Sequence, residues 1–397
     1  MVRIAMAFSF LALLVSAGPT WAQGKVPGVT DTEIVIGATT PLSGPAAAWG
    51  STSQGAEAWA NYVNSQGGVN GRKIKFVLKD DAYTPAKAVA NVNEMKDSIF
   101  ALFGLLGTSN CNAAKDLVAE AGLPTIYPFC GPQIFEKQPK DKVRFIFQAY
   151  PAYIDEGEFL IKQAAAVVKA KKVALFYQND DYGLNGLEGI KNGLKKLDGV
   201  SLVAAIPYEV ADRELGTQAL KIKESGAEAL ILFATATHTA SLVKAMAQAG
   251  YRPKLFGAFP LGDRHVMFRL LGDLWEGAYY DVAGAVPGEP EADRVVDIVL
   301  KQDPKLKGKE SFAILGAGGM IALVEGLKRA GRDLTREKLV AAMESIQNWT
   351  PAGLTAPITW GPGRHHGLNS VRLLQAQKAA DASFKVITEY QLFPAHF

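Results

Sequence analysis

Two successive series of alternating β-rich and helical runs constrain this 397-residue chain more than any other feature. In the first, strand candidates Ile34–Ala38, Ile74–Leu78, Ile99–Leu106 and Pro124–Tyr127 alternate with helical runs Ser53–Ser65, Pro85–Asp97 and Ala113–Ala121. Ala56, Trp59, Ala60 and Val63 recur at three- and four-residue spacing and mark an amphipathic face. Gly67-Gly68 ends that helix and Asn70-Gly71 turns the chain back. The second series opens with Phe145–Ala149 and a Tyr150-Pro151 break, followed by helical Phe159–Val168. Strand Val173–Tyr177, helix Gly186–Leu197, strand Leu202–Ile206, helix Gln218–Glu224, strand Ala229–Phe233 and helix Ala240–Ala249 continue it. Strands alternating with helices build parallel sheets, so two series of about 125 residues predict two similar α/β lobes. Helical stretches Arg294–Leu300, Phe312–Lys328 and Arg336–Ile346 come next, and the β-rich runs Ser370–Leu374 and Phe384–Ile387 come last. So late a return of β-character predicts a chain that crosses between lobes more than once. Open α/β sheets bind ligands at the carboxyl ends of their strands, and two such ends facing each other form a cleft.

The first 22 residues read as an address. Arg3 precedes an apolar run from Ile4 to Val15, Gly18-Pro19 breaks it, and Thr20-Trp21-Ala22 supplies small residues at the −3 and −1 positions of a cleavage site. A run of about 12 residues falls short of the roughly 20 that span a bilayer, which favours a secretory signal peptide (residues 1–22) over a membrane anchor. No Cys flanks the cut, so no lipid anchor is indicated, and the exported chain begins near Gln23. Export bears on the two cysteines, Cys111 and Cys130. An even pair in an oxidising compartment reads as a disulfide, and closing a loop of that size stabilises by about 3 kcal/mol. Two separate buried thiols are the other reading; a catalytic Cys would need a His, and none lies nearby in sequence.

Composition excludes several functions. Lys+Arg 42 against Asp+Glu 39 leaves a net charge of +3, too small for a nucleic-acid or anionic-membrane binder. Five His, dispersed apart from His365-His366 in the turn-rich Gly361-Pro-Gly-Arg-His-His-Gly367, do not suggest a metal site. No Gly-x-Gly-x-x-Gly follows the first strand, and neither a phosphate-binding Gly-x-x-x-x-Gly-Lys-Ser/Thr nor a Gly-x-Ser-x-Gly elbow is present, so no cofactor and no catalytic residue is assigned. The basic runs Lys169–Lys172 and Lys305–Lys309 read as solvated surface.

Specific motifs run through this framework. Gly37-Ala-Thr-Thr-Pro-Leu-Ser-Gly-Pro45, Trp49-Gly50, Gly55-Ala56, Asn64-Ser-Gln-Gly-Gly-Val-Asn-Gly71 and Asp80-Asp81-Ala82-Tyr83-Thr-Pro85 are followed by Gly104-Leu-Leu-Gly-Thr-Ser109, Asp180-Asp-Tyr-Gly183, Gly250-Tyr-Arg-Pro253 and Glu276-Gly277. Together, in order and over nearly the whole exported chain, they resemble the leucine/isoleucine/valine-type periplasmic binding proteins that feed ABC importers. The resemblance implies a type I periplasmic binding protein: two Rossmann-like lobes joined by three hinge crossings. Lobe 1 would comprise residues 23–148 and 282–365, and lobe 2 residues 149–281 and 366–397. It also implies a periplasmic, monomeric, non-enzymatic receptor whose partners are a small-molecule ligand and a membrane permease. A sensory protein, or a secreted enzyme, of similar fold is the other class; a sensor fused in one chain would need a transmembrane segment, and an enzyme would turn a candidate ligand into product.

Candidate site residues follow from both lines of reasoning. Gly107-Thr108-Ser109-Asn110 leaves a buried strand and opens a helix, where free N–H groups and hydroxyls suit an anion. In the family this segment holds the ligand carboxylate, which makes Thr108 and Ser109 donors. Phe129-Cys130-Gly131 follows the next strand, where relatives supply further contacts and carry Thr at the position of Gly131. Trp49 and Tyr182, flanked by Gly50 and Gly183, align with aromatic residues that cover the ligand. The departure is in the second lobe: Phe259, in Leu255-Phe-Gly-Ala-Phe-Pro260, falls where amino-acid binders place the carboxylate that pairs with the α-ammonium. The accompanying aromatic contact falls near Ala236-Thr237. A buried ammonium without a counter-charge costs several kcal/mol. An α-amino acid is therefore disfavoured unless Asp180, Asp181 or Asp263 substitutes, and the expected ligand is a carboxylate with an aromatic or apolar body.

Overall fold

A computed structural model describes residues 26–378 and 380–397; the proposed signal peptide lies outside the described residues. The chain forms strands β1 (Glu33–Thr40), β2 (Lys73–Asp80), β3 (Ala101–Phe103), β4 (Thr125–Ile126) and β5 (Ile146–Ala149), then β6 (Lys172–Gln178), β7 (Ser201–Tyr208), β8 (Ala229–Phe233), β9 (Lys254–Gly257) and β10 (Tyr279–Val282). The last four are β11 (His366–Leu368), β12 (Ser370–Ala376), β13 (Phe384–Val386) and β14 (Gln391–Leu392). One sheet has the order β11-β5-β4-β3-β1-β2 with every pair parallel. The other runs β13-β12-β10-β9-β8-β6-β7, parallel from β7 to β10 and antiparallel beyond, with β14 on β12.

The two sheets share one strand order, 2-1-3-4-5 in the first and its equivalent 7-6-8-9-10 in the second; Phe145–Ala149, expected to open the second series, instead forms β5 of the first sheet, because it pairs in parallel with β4. Central strands are buried along nearly their full length, β8 and β5 entirely so, as a sheet covered on both faces requires. The chain leaves the first sheet after β5, returns after β10 through helices Pro290–Gln302, Glu310–Ala330 and Arg336–Glu344, and crosses again between β11 and β12. This third crossing falls at Asn369, a few residues beyond the boundary expected after 365, because β11 pairs with β5. Asn369 ties the crossings together: its Oδ1 accepts from the Ala152 N–H at 3.0 Å, and its Nδ2 donates to Asp155 Oδ2 at 2.7 Å.

Glycines let the layers close. Helix Ser51–Ser65 crosses helix Glu310–Ala330 where a Cβ on Gly55 would lie 2.0 Å from the Ala313 carbonyl oxygen, and one on Gly316 would lie 1.7 Å from that of Thr52. The long apolar helix Glu310–Ala330 is consequently a core element packed on the first sheet's helices. Cys111 and Cys130 are joined by a disulfide, both buried in the cluster of Leu105, Val118 and Ile146. His365 and His366 are structural: His365 Nδ1 lies 2.9 Å from the Ile146 carbonyl and Nε2 3.1 Å from Glu344, while His366 Nε2 lies 2.8 Å from the Tyr150 carbonyl.

Candidate functional site

The carboxyl ends of the two sheets face each other across a narrow cleft. Its first-lobe wall begins with the turn that ends β3. Gly107 adopts φ +95°, a conformation that L side chains rarely take, and a Cβ there would lie 2.6 Å from the Tyr83 ring. Gly107 thereby starts helix Thr108–Glu120 with no side-chain cap, so the first-turn N–H groups of Thr108, Ser109 and Asn110 have no carbonyl within the helix to bond. Such a terminus, with its partial positive charge, favours an anion. Thr108 lines the cleft and its Oγ1 lies 3.1 Å from the Tyr153 hydroxyl of the opposite lobe.

The walls are otherwise aromatic. Trp49, Phe129, Tyr83, Tyr150, Tyr153 and Tyr182 all face the cavity. Trp49 packs at 4.3 Å on Phe312 with the rings tilted by 32°, while Tyr153 meets Tyr182 edge-on at 4.7 Å. Burial pushes the phenols of Tyr83, Tyr150, Tyr153 and Tyr182 upward, so all four remain neutral hydrogen-bond donors at physiological pH. The Tyr182 hydroxyl is buried without a protein partner, leaving it free to meet a ligand. Leu106, Ala46, Ala234, Thr235 and Pro260 complete the lining, which contains no Asp or Glu among the described residues.

Of the residues singled out in the sequence, Trp49, Thr108, Phe129 and Tyr182 converge on this cavity. Ser109 lies at its mouth, where its Oγ donates to Asp180 Oδ2 across the lobes at 2.6 Å. Thr237 is an exposed rim residue whose hydroxyl donates to the Pro45 carbonyl at 2.9 Å, another contact between lobes, so it is not a wall of the cavity. Cys130 points to the far side of the sheet with its disulfide. Gly131 is buried behind Tyr153: a Cβ there would lie 2.4 Å from that ring, so the Tyr153 side chain takes up the room a Thr would need. Phe259 borders a neighbouring cavity, while the adjoining Pro260 lines the cleft and its carbonyl accepts from Trp49 Nε1 at 3.1 Å.

Sequence reasoning did not single out Tyr83, Tyr150 or Tyr153. Each had a local signal: Tyr83 closes the Asp80-Asp81 motif in a left-handed conformation of φ +60°, and Tyr150 and Tyr153 flank Pro151 at the first crossing. The three acids that might have answered an ammonium are committed elsewhere. Asp180 accepts from Ser109, Gln178 and the Tyr182 N–H; Asp181 accepts from Asn112 at 3.2 Å; buried Asp263 caps helix Arg264–Leu271. Behind Phe259 lies a buried carboxyl pair. Glu156 accepts the Phe259 N–H at 2.5 Å and is pushed up to about 8 by burial, and burial beside Glu156 pushes Asp281 well above its ordinary value. One of the two holds a proton at neutral pH, and neither reaches the cleft wall.

The sequence profile of the periplasmic binding protein family matches residues 33–381. A leucine-, isoleucine-, valine-, threonine- and alanine-binding protein of Pseudomonas aeruginosa is 24% identical over 319 residues, covering 79% of this chain and 82% of its own. A fatty acid ABC transporter substrate-binding protein from Thermomonospora curvata superposes with a TM-score of 0.81 at 24% identity, over 93% of this chain and 95% of its own. An ABC transporter solute-binding protein from R. palustris in complex with 4-hydroxybenzoate gives 0.77 at 24% identity, over 91% and 97%. With its two-lobed fold, three crossings and interlobe cleft, the chain belongs to the periplasmic binding protein family, in the branched-chain amino-acid type of ABC transporter substrate-binding proteins.

Proposed function

We propose that the protein is the periplasmic receptor of an ABC importer and captures a small acid with an aromatic or apolar body. The carrying observation is the composition of the cleft: a helix start and hydroxyls to receive a carboxylate, six aromatic side chains around it, and no acidic side chain in the lining. An α-ammonium buried there would lack a counter-charge, at a cost of several kcal/mol. The carboxylate would lie against the first-turn N–H groups and Thr108, with the Tyr153 and Tyr182 hydroxyls in reach and the body between Trp49, Phe129 and the tyrosines. The ligand is bound and released unchanged, and the closed, loaded form would be what a membrane permease recognises. Residues 1–22 as a secretory signal support the periplasmic address, and a monomer is the expected form. The ligands of neighbouring folds, which include a fatty acid transporter's and 4-hydroxybenzoate, fit this class without assigning one. A branched-chain amino acid, as the Pseudomonas aeruginosa relative's name indicates for that protein, is the alternative. Native mass spectrometry of gently released co-purifying ligand, followed by calorimetry against aromatic acids and leucine, tests the proposal. Leucine binding more tightly than every acid would sink it.

A further inference from the structure

Beside the cleft lies a second, narrow cavity, partly open to solvent, between the lobes and against the crossing that follows β10. Val282, Phe312, Leu315 and Leu354 make its lining apolar. A thin aromatic partition divides it from the cleft. Phe259 lines the second cavity while Pro260 lines the cleft, and Trp49 of the cleft packs on Phe312 at 4.3 Å and on the Phe259 ring edge at 6.0 Å. Two polar groups in the second cavity have no protein partner: the hydroxyl of Tyr127, a residue 2% exposed and held at φ +58°, and the Oγ of Ser311. Buried hydroxyls without partners are uncommon and mark a place where something else supplies the bond. Core packing does not account for this space either, since a Cβ on Gly318 would meet a single neighbour, Leu354 Cδ1 at 3.3 Å.

Resting on the carboxylate reading of the cleft, we infer that this chamber is a second compartment of the same binding site. It receives the distal part of an acid whose apolar body is longer than one ring and carries an oxygen that Tyr127 or Ser311 can bond. The carboxylate stays at the Thr108 helix start, the first ring occupies the aromatic cleft, and rotation of the Phe259 side chain opens the partition. The occupant follows from adjacency: Trp49, which lines the cleft, packs directly on Phe312 and Phe259, which line the second cavity, so two rings lie between the compartments.

The test uses the full exported chain, with benzoate and 4-(benzyloxy)benzoate as calorimetric probes against wild type, Gly318→Val, the milder Gly318→Ala and Phe259→Ala. Filling the chamber at Gly318 should weaken 4-(benzyloxy)benzoate by about tenfold or more and leave benzoate within about twofold, a shift well outside calorimetric error. Phe259→Ala should tighten the longer acid relative to benzoate. Thermal unfolding establishes that each variant is folded, and Gly318→Ala, which adds one methyl, carries the comparison if the valine variant does not fold. A ratio of the two affinities that moves in neither direction overturns the chamber while leaving the carboxylate reading intact. Failure of both acids to bind wild type overturns that reading, and the chamber with it.

Discussion

Replacing Ser109 with Ala should weaken ligand binding without altering ligand preference. The Ser109 hydroxyl donates to Asp180 Oδ2 at 2.6 Å and thereby joins the start of helix Thr108–Glu120 to the second lobe. Hydrogen bonds to a charged group contribute about 1.5–3 kcal/mol net. Asp180 keeps its bonds from Gln178 Nε2 at 2.7 Å and the Tyr182 N–H at 3.1 Å, so its carboxylate is not stranded and the lower figure applies. About 1.5 kcal/mol is roughly a tenfold shift of the closure equilibrium toward the open form. If the free protein is mostly open, that shift passes directly into the apparent Kd, because only the closed fraction binds tightly. If it is mostly closed, the shift shows instead as a larger radius of gyration of the ligand-free variant in small-angle scattering. Calorimetry with benzoate and with a longer acid, beside scattering on the free protein, reads both. A uniform loss across ligands, or expansion of the free protein, supports the latch. Unchanged affinity with unchanged radius refutes it, and so does a loss confined to one ligand, which would make Ser109 a contact residue.

Thr108→Val should cost about tenfold or more in Kd for a carboxylate and little for its primary amide, since only the charged ligand loses a charge-assisted bond; calorimetry on the pair checks it. Gly131→Thr should lower stability by about 1–3 kcal/mol by driving Cβ into the Tyr153 ring, measured by denaturant unfolding, with no gain in affinity from the restored hydroxyl. Glu156 and Asp281 both titrate above their unfolded values, so the folded state holds more protons than the unfolded one. Their stabilisation is complete below the ordinary carboxylate range and is lost as pH rises, for Glu156 through about 8, by at most about 1.4 kcal/mol per pH unit for each proton. Thermal melts between pH 5 and pH 8 should show this decline, and Glu156→Gln should flatten it; an equal slope in both proteins contradicts the assignment. Reducing the Cys111–Cys130 disulfide should lower stability by about 3 kcal/mol while leaving affinity near its oxidised value, because the bond faces away from the cleft.

The repeated strand–helix rhythm was readable because buried parallel strands are apolar runs and their crossover helices keep a helical period. It failed where elements serve the site rather than the core. The helical period of Thr108–Glu120 registers only from Ala113, five residues after the helix begins, since its first turn is polar and faces the cleft, and the start was legible only from the Gly107-Thr108-Ser109-Asn110 motif. Helix Tyr153–Val167 begins six residues before Phe159, since Asp155 and Glu156 interrupt the apolar pattern although Glu156 is buried. The expected strand Ile99–Leu106 shortens to Ala101–Phe103 because Gly104 takes φ +60° and turns the chain toward the cleft. Strands Lys254–Gly257, Tyr279–Val282 and His366–Leu368 are too short for a period to register. The aromatic box was only partly readable for a related reason. Trp49 and Tyr182 stand beside glycines that sequence reads as turns, although Gly50 caps helix Ser51–Ser65 and Gly183 lies in the first turn of helix Asp181–Leu194, while Tyr150 and Tyr153 come from a crossing whose geometry depends on both sheets. The glycine at 131 reads in sequence as a lost donor; in the fold it makes room for the Tyr153 ring, whose hydroxyl lies 3.1 Å from Thr108 Oγ1 across the lobes.

The central claim is that the cleft receives a carboxylate and has no place for an ammonium. Leucine and 4-methylpentanoate differ by that ammonium alone, so calorimetric titration of the protein with each isolates it. Tighter binding of 4-methylpentanoate, by about tenfold or more, is the expected result, since leucine would bury an unpaired charge among Trp49, Phe129 and the tyrosines. Tighter binding of leucine would contradict the account and require a counter-charge that the cleft lining does not contain.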